Sequence, residues 1–185
     1  QERLQREGTI WADRLSQLPH PRVAVILGGT NGVYRFGKAE ASALGLLLRR
    51  MAEQDGVGLM LTPSRRTGRE QIEAIAQALE GTGAYIWDME TGDNPYPGIL
   101  ALADHILVTC DSVNMVSESC LTGKPVQVIE LPGRDTGKFD RLHQELREAG
   151  LTRPFAGALE SWSYQPLDET SRVANRIVAE LTPHL

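Results

Sequence analysis

Five short apolar runs recur along this chain, each separated from the next by a stretch of helical spacing. That alternation limits the fold more than any other feature. The first run, Val23-Ala24-Val25-Ile26-Leu27, is apolar at every residue rather than at alternate ones. Such a run suits a strand buried on both faces, as in a parallel sheet. Residues 58–61, 85–87, 105–109 and 126–129 read as the second to fifth strands. Between them, Leu44, Leu47, Leu48 and Met51 fall at i, i+3, i+4, i+7, and so predict a helix with one apolar stripe. Thr67 and Glu70 predict a capping box for the next helix, whose stripe is Ile72, Ile75, Ala76 and Leu79 and whose end is marked by Gly81 and Gly83. Shorter helices are expected over 97–103 and over 115–122, the latter closed by Gly123. Phe139, Leu142 and Leu146 mark a further helix, and Val173, Ile177 and Leu181 the last. Residues 151–167, with Pro154, Gly157 and Pro166, read as an irregular return segment. Strand–helix alternation with short links predicts an α/β fold: a Rossmann-like three-layer α/β/α domain around a parallel sheet of five or six strands.

A chain of 185 residues fits one ordinary domain. Leu4, Trp11, Leu15 and Leu18 keep helical spacing until Pro19-His20-Pro21 stops it, and the chain opens Gln1-Glu2-Arg3 without Met. We therefore expect 1–20 to be a connecting helix from a missing amino-terminal domain, and 21–185 to be the Rossmann-like domain. The formal net charge of −5 argues against a nucleic-acid partner, which wants a basic face. No apolar run approaches the roughly 18 residues of a membrane span. Two cysteines, Cys110 and Cys120, exclude a disulfide scaffold and, with no signal peptide in view, lead us to expect a cytoplasmic protein. The four histidines are scattered without ligand spacing, so no metal is expected.

In parallel sheets ligands gather at the carboxyl ends of the strands, near the switch in strand order. Loops 28–37, 62–69, 88–97, 109–115 and 130–137 are therefore the ones that could carry chemistry. Gly28-Gly29-Thr30-Asn31-Gly32 could bring backbone amides close to an anion, or be a plain glycine-rich turn. Residues 32–38 spell G-x-x-x-x-G-K, but Ala39 stands where a P-loop needs a hydroxyl for magnesium, which argues against a nucleotide triphosphatase. Arg65, Arg66 and Arg69 cluster after the second strand. Guanidinium forks suit phosphate oxygens, and cations at a helix start oppose its dipole, although a solvated helix start explains them equally well. Asp111-Ser112-Val113-Asn114-Met115-Val116-Ser117-Glu118 opens a helix whose free amides could meet a phosphate, with Glu118 placed to accept from ribose hydroxyls; simple capping is the alternative. Gly92-Asp93-Asn94-Pro95-Tyr96-Pro97 is a stiff polar turn that could bracket a base or sugar. Cys110 and Cys120 read as small buried hydrophobes, and no G-x-S-x-G elbow anchors a hydrolase triad.

Asn94-Pro95-Tyr96, Ala101-Leu102-Ala103-Asp104, the Asp111 to Glu118 stretch and Thr122-Gly123-Lys124-Pro125-Val126 together resemble the bacterial and plant family named for mitochondrial fission, the "elongated mitochondria" proteins. Gly28-Gly29, Thr62-Pro63-Ser64-Arg65-Arg66-Thr67 and the run from Trp162 through Tyr164 and Pro166 to Thr170 agree, so the likeness reaches from Pro21 to the end. Bacterial members carry the label of predicted nucleoside-diphosphate-sugar epimerase, but no dinucleotide fingerprint or Tyr-x-x-x-Lys is present to match it. The arrangement also resembles the carboxyl-terminal half of GT-B-type glycosyltransferases. That resemblance implies donor-phosphate contacts at Gly29 and at Ser112 to Met115, and ribose contact at Glu118. The candidate binding set is then Gly28, Gly29, Asn31, Arg65, Arg66, Asp111, Ser112, Asn114, Met115, Ser117 and Glu118. Asp111-Ser112 stands where such enzymes often have a glycine pair. The implied ligand is a nucleoside-diphosphate sugar serving as donor substrate, with no resident cofactor. The acceptor site and the catalytic base would belong to the other half, so this chain alone would turn nothing over. The competing expectation is an interaction scaffold that has kept the fold and lost nucleotide binding.

Overall fold

A computed structural model describes residues 2–133 and 137–166. Its elements run α1 (Glu2–Leu15), β1 (Arg22–Leu27), α2 (Lys38–Gln54), β2 (Gly58–Pro63), α3 (Arg69–Ala78), β3 (Tyr85–Ile86), α4 (Tyr96–Leu102), β4 (His105–Thr109), α5 (Val113–Cys120), β5 (Val126–Ile129), α6 (Lys138–Glu148) and β6 (Thr152–Pro154). The six strands form one sheet in the order β3-β2-β1-β4-β5-β6, every pair parallel. The order reverses between β1 and β4, and right-handed crossovers then place α2 and α3 on one face and α4, α5 and α6 on the other. The helix contacts agree: α2 packs on α3, and α1 packs on α4. This is the α/β three-layer architecture the sequence predicts.

The core follows from the unbroken apolar runs. Val23, Ala24, Val25 and Ile26 in β1 and Ile106, Leu107 and Val108 in β4 are fully buried, as a strand covered by helices on both faces must be. Leu44, Leu48 and Met51 point α2 inward, while Leu47 is only half-buried. The amino-terminal helix joins this core through Trp11 and Leu15. Trp11 sits over Gly98 of α4, where an added Cβ would come within 2.3 Å of its ring, and its ring meets Tyr85 edge-on.

Four expectations need correction. The capping box of α3 is not formed: the N-cap is Gly68, without a side-chain cap bond. The Thr67 hydroxyl is engaged elsewhere, accepting from the Ser64 amide at 2.9 Å and facing the Leu27 and Gly28 carbonyls. The α3 stripe is Ala74, Ile75 and Leu79, with Ile72 and Ala76 half-buried. Helix α5 begins at Val113, two residues before the apolar Met115 that suggested its start. Within 151–167, Thr152–Pro154 is a sixth strand, paired to Val126–Val128 at the sheet edge, where proline costs no ladder bond on its open side. The helix expected around Val173, Ile177 and Leu181 lies outside the described residues.

Candidate nucleotide site at the strand switch

The switch between β1 and β4 brings Gly28 and Gly29 beside Asp111, and Arg66 reaches the same point from the β2 side. Asp111 has a fully buried side chain. Its Oδ2 accepts from the Gly29 amide at 2.9 Å and from Arg66 Nη2 at 2.9 Å, and its Oδ1 accepts from the Thr109 hydroxyl at 2.7 Å. Thr109 in turn accepts from the Gly28 amide at 2.7 Å. A buried carboxylate is tolerable only with such a full set of donors and a counter-charge. The guanidinium of Arg66 is 46% exposed, so one side of this pair still faces water.

These contacts explain the glycine pair without a ligand. A Cβ on Gly28 would fall 2.1 Å from Asp111 Oδ1, and one on Gly29 would fall 2.0 Å from the Arg66 carbonyl oxygen. The close approach foreseen for an anion is made by the chain's own carboxylate and backbone. The Gly29 amide assigned to a donor phosphate already donates to Asp111, and its Gly28 neighbour donates to Thr109. Asn31 has a similar internal use: its Nδ2 donates to the Asp111 carbonyl at 3.1 Å, and its Oδ1 accepts from the Val33 and Tyr34 amides, both at 2.8 Å. It closes the loop onto β4.

Directly after Asp111, Ser112 caps α5 with extended backbone and makes no side-chain cap bond. The first turn of any helix leaves its amides without intrahelical partners. Among the described residues none accepts from the amides of Val113, Asn114 or Met115. Asn114 is exposed, Met115 and Ser117 are half-buried, and Met115 leans on the core. Glu118, one turn and a half into α5, is exposed and accepts from the Tyr96 hydroxyl at 2.7 Å. Burial, and then the Glu118 carboxylate, push the Tyr96 phenol well above its ordinary range, so it stays a donor. Arg65 is exposed and makes no hydrogen bond or ion pair among the described residues.

The structure thus joins Gly28, Gly29, Asn31, Arg66 and Asp111 in one network and sets Ser112, Asn114, Met115, Ser117 and Glu118 along the adjoining helix. It leaves Arg65 outside the network. Sequence reasoning missed Thr109, Thr67 and the Tyr96–Glu118 pair. A threonine ending a buried strand was a usable signal for the first; nothing local announces a contact between residues so far apart in the chain. No group of three His, Cys, Asp or Glu among the described residues could hold a metal. Both cysteines are free and buried, and burial pushes Cys110 up to about 11 and Cys120 up to about 12, so neither is a ready nucleophile. No described helix is long and apolar enough to cross a membrane.

The family described as Mitochondrial fission ELM1 matches residues 1–181. The Mitochondrial fission protein ELM1 of Arabidopsis thaliana is 36% identical over 184 residues, covering 96% of this chain and 42% of that protein. The uncharacterized protein RP120 of Rickettsia prowazekii (strain Madrid E) is 30% identical over 167 residues, covering 86% of this chain and 47% of its own length. The chain therefore spans less than half of either relative. Among solved structures, the cypemycin decarboxylase CypD superposes with a TM-score of 0.46 at 15% identity, over 88% of this chain and 96% of that one. The wall teichoic acid polymerase TagF gives 0.41 at 14% identity, over 67% of this chain and 29% of that one.

Proposed function

The chain belongs to the mitochondrial fission ELM1 family, and from that premise we propose that it is the nucleoside-diphosphate-sugar-binding part of a glycosyltransferase-like protein. The observation that carries this reading is the start of α5: three amides without partners among the described residues open at the strand switch, next to the half-exposed guanidinium of Arg66. A helix N-terminus and an arginine fork are complementary to a diphosphate. Because the Gly28 and Gly29 amides are engaged, the diphosphate contacts fall on Ser112, Val113, Asn114 and Met115, with Arg65 as counter-charge and the N–H groups of Arg66 that do not bond Asp111 as further donors. Glu118 accepts from the ribose hydroxyls while Tyr96 fixes its carboxylate. Buried Asp111 has two tasks. It pins the Arg66 guanidinium through an ion pair, and it holds β1, β4 and the 64–67 turn in register beneath the ligand. Transfer itself needs an acceptor and a base from outside this chain, so the chain binds donor without turning it over.

The second reading, an interaction module without nucleotide affinity, draws support from the same Asp111 network, because a loop that satisfies itself needs no anion. Calorimetric titration with UDP, GDP, ADP and UDP-sugars separates the two. Under the first reading one base family gives heat, and Glu118→Ala weakens it about tenfold or more, the loss of a hydrogen bond to a charged group. No heat from any nucleoside diphosphate refutes the first reading and leaves the second.

A further inference from the structure

A second cavity lies away from the strand switch, between α6 and the sheet at β5 and β6. It holds about 230 Å³. Three observations bear on what it is for.

The first is unsatisfied polarity. His143 and Thr152 both line this cavity, and they are only 6% and 2% exposed. His143 Nε2 bonds the Cys110 carbonyl at 2.8 Å, so that nitrogen carries the hydrogen. Its Nδ1 and the Thr152 Oγ1 are buried and have no hydrogen-bond partner among the described residues. Burial holds the His143 imidazole below its ordinary range, with Arg147 adding to the effect, so Nδ1 is a bare acceptor at neutral pH. An orphaned buried polar atom is costly, and here two of them sit against one hollow.

The second is the balance of donors and acceptors. Glu130, Asp140 and Arg147 also line the cavity. Arg147 lies 3.9 Å from Glu130 and donates to the His143 carbonyl. The bare Nδ1 lone pair and the Glu130 carboxylate would meet an anion acceptor to acceptor, which disfavours a phosphate or a carboxylate guest. The same two groups want a guest rich in O–H donors. The third is size. A dry cavity of about 150 Å³ accepts benzene, and drug-sized ligands need about 300 Å³ or more. The volume here suits one six-membered ring, with Tyr34, Val128 and Pro154 as apolar wall.

We propose that this cavity is a binding site for an uncharged polyhydroxylated ring of monosaccharide size, held by His143 Nδ1, the Thr152 hydroxyl and the Glu130 carboxylate. The site is independent of the nucleotide reading: it shares no residue with the α5 start. The test uses this chain with D-glucose, N-acetyl-D-glucosamine, myo-inositol and inorganic phosphate as separate probes, read by the His143 ring resonances and by thermal shift. At least one polyol is expected to move the His143 signals and raise the melting temperature, while phosphate does neither. Thr152→Val keeps the shape and removes the orphan hydroxyl. It should bind the polyol at least tenfold more weakly, and without ligand it should be as stable as the parent or more so. A polyol response that is unchanged in Thr152→Val overturns the proposal, as does silence toward all three polyols or a response to phosphate in their place. UDP added alone reports on the α5 start, so either site can fail without the other.

Discussion

At the scale of single residues, Asp111 organises the candidate site from the inside. Its carboxylate collects a backbone amide, a hydroxyl and a guanidinium from three separate segments, and the glycine pair exists to let it in. Gly29→Ala should therefore destabilise the fold, by roughly 2 kcal/mol or more. Its Cβ would overlap the backbone carbonyl of Arg66, which cannot rotate away as a side-chain tip could. Denaturant unfolding checks this, and a midpoint like the parent's would return the glycine to a ligand-binding role. The sequence made part of this legible. Paired glycines after a first buried strand do mark a close approach, and the loops at the strand ends are where the network forms. What approaches was hidden, because Asp111 reads locally as one more helix cap, and its bond to Gly29 spans 82 residues of chain. Thr67 misled for the opposite reason. Its spacing to Glu70 satisfies the capping pattern, but its hydroxyl bonds the end of β1, and tertiary contacts outrank local propensity here.

At the scale of elements, the unbroken runs that become β1, β2, β4 and β5 were readable because a strand covered on both faces has no polar alternation to blur it. The edges were harder to read. β3, expected over 85–87, keeps two residues; β6 keeps three, one of them Pro154, and carries too little pattern to stand out. Short edges of this kind also resist pairing with other chains. Helix α1 packs chiefly on α4, with Trp11 (3% exposed) as its anchor. Trp11→Ala should cost about 3–5 kcal/mol, the usual penalty for emptying a large aromatic site. It should also raise amide exchange across α1 and α4 before the rest of the molecule. Uniform loss of protection across the sheet would show instead that α1 is an integral part of the sheet's cooperative unit.

At the scale of the whole molecule, acid stability depends on buried imidazoles. Burial lowers the folded-state pKa of both His105 and His143; the Asp104 charge opposes this at His105, while at His143 the Cys110 bond, Asp140 and Glu130 oppose it and Arg147 reinforces it. A group depressed in the folded state is protonated first in the unfolded chain. Stability is thus fully present above about pH 6.5 and falls as pH drops below it, by at most about 1.4 kcal/mol per pH unit for His143 and by less for half-exposed His105. Unfolding curves between about pH 7.5 and about pH 5.5 should show this decline, and His143→Gln should make it shallower. A flat profile in the parent would mean that neither ring is kept neutral by the fold.

The strand order has a consequence for how such a chain is made. β1 lies at the centre of the sheet, paired on one side with β2 and on the other with β4, where Val23 aligns with His105. A ribosome releasing roughly 5–20 residues per second takes several seconds between those two strands. Throughout that interval one margin of β1 is bare. Nascent molecules of this kind spend that time as candidates for a chaperone, with an apolar ribbon that emerges well before its second neighbour.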